Sequence, residues 1–272
     1  MDSFQFKKSL GQNFLNDKNI IHKIVESAEI DKDTLVIEVG PGSGALTELI
    51  VPLAKHTLLY EADGRLECHL KELLTDCCNY DIFIGDFLKR DLREDLKKYS
   101  NLKLYVVANL PYYITTPIIM KFVENSIMPD KFVIMVQKEV AYRLSAKVGT
   151  KDYGSLTVFL NYYYEIKRLF DVSRNCFTPK PNVDSAIVEM KVKDNRLEVL
   201  NIDFFKKLVK DSFSYKRKTI RNNLKDYNLS IIENVLKQYG FDLSVRAENL
   251  ELEIFVEMAN RLVKSLWLFY YK

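Results

Sequence analysis

Residues 35–45 read LVIEVGPGSGA. An apolar run with β-branched Val36, Ile37 and Val39 gives way to Gly40, Gly42 and Gly44 spaced by Pro41 and Ser43, and a helical pattern then begins. A strand that leaves through such a turn into a helix needs residues without Cβ, because the backbone turns sharply and a ligand must approach it closely. Outward from this unit, strand-like runs recur at 57–61, 81–85, 104–108 and 132–137. Helical patterns lie between them near 44–54, 65–75, 88–98 and 115–126. Such alternation predicts βαβ units and a Rossmann-like parallel sheet covered on both faces, an α/β fold. Two further apolar runs, 156–164 and 185–192, follow without a clear helix between them and are predicted to form an antiparallel hairpin at a sheet edge. After the polar stretch 194–201 only helical periodicity remains, which predicts a small all-helical domain. The expected domains are therefore 1–195 and 196–272.

The 272 residues are 47% hydrophobic with a net charge of +3, which excludes an extended disordered chain. The charge is unevenly spread: Phe204 to Lys225 carry eight Lys or Arg and one Asp, whereas acids outnumber bases from Asp226 to Arg261. Lys216, Arg217, Lys218 and Arg221 cluster at a predicted helix start, with Arg217 and Arg221 one turn apart on a shared face. That is the footprint expected of phosphate-backbone binding. Cysteines 68, 77, 78 and 176 form no C-x-x-C pair, so neither a disulfide framework nor a zinc site is expected, and no metal is predicted. Buried free thiols are expected instead. The amino-terminal residues lack the apolar core of a secretory signal, and LWLFYY at 266–271 is too short to span a bilayer. That run is expected to pack a terminal helix onto the core, and the chain is read as a cytoplasmic monomer without a membrane partner.

The glycine turn suits any adenosine-bearing cofactor. Glu61 ends the next strand, where a carboxylate can accept hydrogen bonds from two ribose hydroxyls, and G-x-G-x-x-A also satisfies a dinucleotide fingerprint. Two acids tip the balance. Glu38, just before the glycines, could face a cationic aminoacyl or sulfonium end but would repel a pyrophosphate. Asp86, at the end of the third strand, can accept from an adenine amino group. The pattern points to S-adenosylmethionine and a class I methyltransferase sheet.

Asn109-Leu110-Pro111-Tyr112 follows the fourth strand. An exocyclic amine on adenine is a poor nucleophile because its lone pair is delocalised into the ring. Acceptance of its hydrogens by the Asn109 carboxamide oxygen and the Leu110 carbonyl would localise that pair. Pro111 stiffens the turn, and Tyr112 can stack on the base. No strong general base is required, so His22, His56 and His69 are expected to be bystanders.

With these residues in place, the chain closely resembles the KsgA/RsmA family of small-subunit rRNA adenine N6,N6-dimethyltransferases. The resemblance rests on Lys8-Ser9-Leu10-Gly11-Gln12-Asn13-Phe14-Leu15, the glycine loop through Thr47, Glu61-Ala62-Asp63, and Val136 to Ala141. It extends through Ala146-Lys147, Tyr153-Gly154, Phe177 to Ala186 and Phe213 to Leu224, so it spans roughly residues 7 to 225. It implies that Asn13, Leu15, Gly40, Gly42, Glu61, Asp86 and Asn109 contact the cofactor. It also implies that Asn109 and Tyr112 face the adenine, with Phe177 sandwiching the flipped base from the other side. The implied partner is small-subunit rRNA or the assembling small subunit. Tyr113 departs from the family's usual Asn, and Leu10 stands where Phe is common. The related large-subunit methyltransferase of macrolide resistance shares the fold and the Asn-aromatic logic, but the runs at 177–186 and 216–224 favour the small-subunit branch.

Overall fold

A computed structural model describes residues 12–270, and side chains up to residue 266. By internal contacts the chain divides into two compact units, residues 1–141 with 167–192, and residues 142–166 with 193–272. The segment 142–166 thus groups with the carboxy-terminal helices, although it precedes the last two strands in the chain.

Strands β1 (Thr34–Val39), β2 (His56–Glu61), β3 (Tyr80–Ile84), β4 (Lys103–Asn109), β5 (Lys131–Gln137), β6 (Tyr164–Val172) and β7 (Ser185–Val192) form one seven-stranded sheet in the order β3-β2-β1-β4-β5-β7-β6. The pairings among β1 to β5 are parallel and β7 runs antiparallel to β5. Every residue of β1 is buried, as is nearly all of β5. That is the signature of strands covered on both faces, and it explains why they read as continuous apolar runs. The order reverses between β1 and β4, so the loops that leave their carboxyl ends diverge and open a crevice there.

The helices of the first unit are α1 (Lys18–Ala28), α2 (Thr47–Leu53), α3 (Glu67–Leu73), α4 (Leu92–Leu96), α5 (Thr115–Glu124) and the start of α6 (Lys138–Leu144). Asp17 caps α1 by accepting from the Asn19 and Ile20 amides, at 3.0 and 3.2 Å. Ile21, Ile24 and Val25 of α1, Ile50 of α2 and Leu46 just before it are buried in a cluster that also takes Val36, Val107, Val133, Met135 and Ile187 from the strands.

The expected hairpin requires a correction. Residues 155–163 are helical (α7, Ser155–Tyr163), and β6 begins only at Tyr164. An unbroken apolar run cannot separate a buried strand from a buried helix by periodicity. Tertiary contacts decide it here: Val158, Phe159, Leu160 and Tyr163 are buried, and the Phe159 and Tyr163 rings meet edge-on at 5.3 Å, one helical turn apart. The Thr157 hydroxyl donates to the Arg143 carbonyl at 2.6 Å and accepts from the Gly154 amide at 3.3 Å, which fixes the first turn.

In the second unit α7 is joined by α8 (Ile202–Ser212), the single turn α9 (Ile220–Asn223), α10 (Leu229–Gln238) and α11 (Leu252–Tyr270). Their core is built from Phe205, Leu208, Ile220, Leu224, Ile232, Leu236, Phe255 and Met258. Most of LWLFYY lies beyond the side chains described; Leu266, which is described, is exposed. The four cysteines are free, but none is buried: Cys68 and Cys78 are exposed and Cys77 and Cys176 half-buried, a correction to the expected buried thiols. No described helix is long and apolar enough to cross a membrane.

Candidate active site

A cavity of about 410 Å³ lies at the carboxyl ends of β1, β2, β3 and β4. Of the cofactor residues expected from the sequence, Asn13, Leu15, Gly40, Gly42, Glu61, Asp86 and Asn109 all line it, as do Glu38, Leu110 and Tyr112. The segment 8–11 lies outside the described residues.

The glycine turn is pinned at both ends of its function. The Gly40 amide donates to the Tyr60 carbonyl at 2.8 Å, and Gly40 and Gly42 have φ of 74° and 59°. A side chain on Gly42 would also collide with the Phe14 ring, 2.7 Å from where its Cβ would stand. Only glycine satisfies both the dihedral and the close overlay of the amino-terminal segment. Each Glu61 oxygen takes one backbone amide, Gly42 at 3.0 Å and Asp63 at 2.8 Å. A carboxylate oxygen retains a second lone-pair site, so both can still accept from a ligand. Burial pushes the Glu61 carboxyl upward, opposed by those two amides. Asp86 caps the turn after β3 by accepting from the Leu88 amide at 2.9 Å and remains exposed at the cavity.

Two contacts were not anticipated from the sequence. Gln12 donates through its amide to Asp63 at 3.0 Å, tying the amino-terminal segment to the turn that carries Glu61. Ser185, fully buried at the start of β7, shares a 2.6 Å hydrogen bond with the Tyr112 hydroxyl and so holds that ring. Gln12 and Ser185 belong to the stretches 8–15 and 177–186, but only folding brings them to their partners.

The Asn109 side chain donates through Nδ2 to the Asn13 carbonyl at 3.2 Å. Because only the amide nitrogen can donate, this bond fixes the carboxamide's orientation and leaves Oδ1 as the acceptor. Leu110 is held by its own amide, which donates to the Met135 carbonyl at 3.2 Å.

Phe177 lies elsewhere than the expected sandwich. It is 4% exposed, sits in the core cluster with Leu15 and Ile187, and is absent from the cavity wall. It pairs with Leu15 in a short antiparallel ladder, Phe14–Leu15 against Phe177–Thr178. The ladder ties Phe177 to the segment that directly follows Asn13. None of the three histidines is among the described residues that line the cavity: His56 meets Asp81 at 3.0 Å, His69 meets the Ser43 carbonyl at 3.1 Å and His22 is exposed on α1. Among the described residues no cluster of acids, histidines and cysteines is suited to a metal.

The basic cluster also needs a correction. Lys216, Arg217 and Lys218 lie in a turn before α9, and only Arg221 is helical, so no shared helical face exists. All four are exposed.

The profile of the ribosomal RNA adenine dimethylase family matches residues 3–264. The chain belongs to the ribosomal RNA adenine dimethylase family. Its relatives include ribosomal RNA small subunit methyltransferase A of Streptococcus equi subsp. zooepidemicus, 46% identical over 268 residues, which is 95% of this chain and 92% of the relative. The protein of the same name from Staphylococcus haemolyticus is 45% identical over 264 residues, 94% of this chain and 89% of the relative. Among solved structures, a dimethyladenosine transferase from Plasmodium falciparum aligns with a TM-score of 0.76 at 26% identity, covering 90% of this chain and 95% of its own. The 23S rRNA methyltransferase ErmE aligns with a TM-score of 0.74 at 27% identity, covering 92% and 99%.

As a member of the adenine dimethylase family, the protein is an rRNA methyltransferase with S-adenosylmethionine as methyl donor. The residues present fit that donor. Glu38, Glu61 and Asp86 are acidic, and no Lys, Arg or His is among the described residues that line the cavity. Such walls suit a cation and offer no counter-charge to a pyrophosphate.

Glu38 adds a pH dependence. Burial, with the charge of Glu61, pushes its carboxyl up to about 8 against the 2.8 Å bond from Thr47. At neutral pH the free protein therefore holds Glu38 mostly protonated, while a neighbouring cation favours the ionised form. Cofactor binding is expected to release a proton, and affinity to rise with pH up to about 8, where the free carboxyl ionises. Calorimetric titration in buffers of different ionisation enthalpy measures this; Glu38→Gln should flatten the profile, and an unchanged profile would refute the role.

Tyr112 yields a second prediction. Tyr112→Phe keeps the ring and should retain much of the activity, although it leaves the buried Ser185 hydroxyl without this partner at about 1 kcal/mol of stability. Tyr112→Ala should lose roughly tenfold or more in kcat/KM, the scale of one base stacked on an aromatic face. Equal losses in single-turnover assays of the two variants would mean that the hydroxyl rather than the ring carries the effect.

Proposed function

We propose that this protein dimethylates adenine N6 in small-subunit (16S) rRNA, in the cytoplasm, as a monomer acting on the assembling subunit. The observation that carries the reading is 46% identity along 95% of the chain to an enzyme named for the small subunit, against 27% to ErmE, named for 23S rRNA.

The donor supplies an electrophilic methyl group on a sulfonium centre. Glu61 receives the ribose hydroxyls, Asp86 the adenine amino group, and Glu38 balances the positive end. Gly40 and Gly42 let the backbone come close, with Asn13 and Leu15 covering the ligand from the amino-terminal side. The target adenine, flipped from its helix, stacks on Tyr112. Asn109 Oδ1 and the Leu110 carbonyl accept its two amine hydrogens, concentrating the lone pair on nitrogen as attack begins. The methylated amine sheds its proton to water, which is why the described wall manages without a basic residue. Phe177 contributes through Leu15, steadying the short strand that follows Asn13. The helical unit docks the RNA through Lys216, Arg217, Lys218 and Arg221.

Mass spectrometry of rRNA from cells with and without the protein tests the reading. Loss of dimethyladenosine from 16S fragments is expected; loss confined to 23S rRNA would overturn it.

A further inference from the structure

Tyr215 is 68% exposed, more than any other large hydrophobic side chain among the described residues. It stands directly before Lys216, Arg217 and Lys218. Among the described residues its ring meets no other ring or cation. Its backbone, by contrast, is held firmly. The Lys218 amide donates to the Tyr215 carbonyl at 2.9 Å, closing a four-residue turn with Lys216 and Arg217 at its tip. The Asn223 side chain accepts from the Tyr215 amide at 3.2 Å and donates to the carbonyls of Ser212 at 2.6 Å and Tyr215 at 3.3 Å. Lys216 donates to the Lys151 carbonyl at 2.6 Å, which tethers the turn's tip. An aromatic face is thus kept in water on an ordered turn, beside exposed cations.

We propose that Tyr215 is a stacking platform for an unpaired base of the RNA substrate, with Arg217 and Lys218 holding the flanking phosphates. The proposal rests on the RNA-docking reading above and gives it a specific chemistry. A duplex shields its base faces, so a lone aromatic side chain finds a surface only where a base is unstacked. Tyrosine and arginine also suit protein interfaces, but the two lysines beside them favour RNA, because lysine is depleted at the centres of protein interfaces. Stacking releases no counterions, whereas each phosphate neutralised by a cation does. The two contributions therefore separate in salt.

The test measures binding of the full-length protein to small subunits isolated from cells that lack it, across a range of salt. Tyr215→Ala should weaken binding roughly 5- to 100-fold, the range for loss of one stacked base, with the slope of log K against log salt unchanged. Tyr215→Phe and Tyr215→Trp should bind nearly as wild type. The double variant Arg217→Ala, Lys218→Ala should instead flatten the slope by about 0.7–0.9 for each phosphate that is no longer neutralised. S-adenosylmethionine affinity, measured in parallel, should be unchanged in all of them. Wild-type binding by Tyr215→Ala, while the charge variant weakens, would overturn the stacking role and leave the docking reading standing. Wild-type binding by both would overturn the two together. If Tyr215→Phe were as weak as Tyr215→Ala, the hydroxyl and not the ring would be responsible, and the platform would be refuted.

Discussion

Asn109→Ala is expected to lower kcat by at least about 10²–10³, the loss seen when one preorganised group that stabilises developing transition-state charge is removed. The reason lies in the double use of one carboxamide. Its nitrogen is committed to the Asn13 carbonyl, so its oxygen is aimed before substrate arrives and no reorganisation is needed during the reaction. Asn109→Asp is a sharper probe, because a carboxylate cannot donate to Asn13 and its charged oxygen would face the carbonyl instead. Asn109→Ala should keep a thermal transition close to wild type, since Asn109 is only partly buried, and a melting curve is the fold control for Asn109→Asp. Single-turnover methyl transfer under saturating RNA reads the effect. A folded Asn109→Ala protein within about threefold of wild type would remove Asn109 from the chemistry; the factor corresponds to less than about 1 kcal/mol.

Glu61→Ala should weaken S-adenosylmethionine binding by about 1.5–3 kcal/mol, the scale of hydrogen bonds to a charged acceptor. Loss of the carboxylate also strips the Gly42 and Asp63 amides of their acceptor, so the glycine loop itself loosens. Glu61→Gln separates the two effects: it keeps an oxygen for one amide but places a donor opposite the other. Its affinity should fall between those of Glu61→Ala and wild type. Calorimetric titration, with a melting curve as the fold control, reads both variants. Unchanged affinity in folded Glu61→Ala would sink the ribose assignment.

Much of the site could be read in the sequence because its parts lie at strand ends. A strand followed by G-x-G-x-G has few ways to fold, and the acids ending β2 and lying just past β3, with Asn109 at the end of β4, fall in one crevice once a parallel sheet forms. The sheet supplies that convergence generically, so no particular packing need be known. The same reasoning stops at contacts between distant residues. Ser185 against Tyr112 and Gln12 against Asp63 depend on where the antiparallel β7 and the amino-terminal segment settle.

Residues 156–164 show where local pattern fails. Their apolar continuity fits either element, and burial against the helices of the second unit makes 155–163 a helix. Phe177 shows the same limit from the side of function: its motif fixes its chain position, but the ladder with Leu15 turns the ring into the core. At Lys216 to Lys218 the charge was plain in the sequence. The bonds from Asn223 to Ser212 and Tyr215 decide that these residues form a turn, and not a helical face. What the sequence determined by itself was therefore the alternation, the turn chemistry and the placement of charge, each set within a few residues. What only the tertiary structure decided was which side chains meet, because burial and long-range hydrogen bonds override local preference wherever that preference is weak.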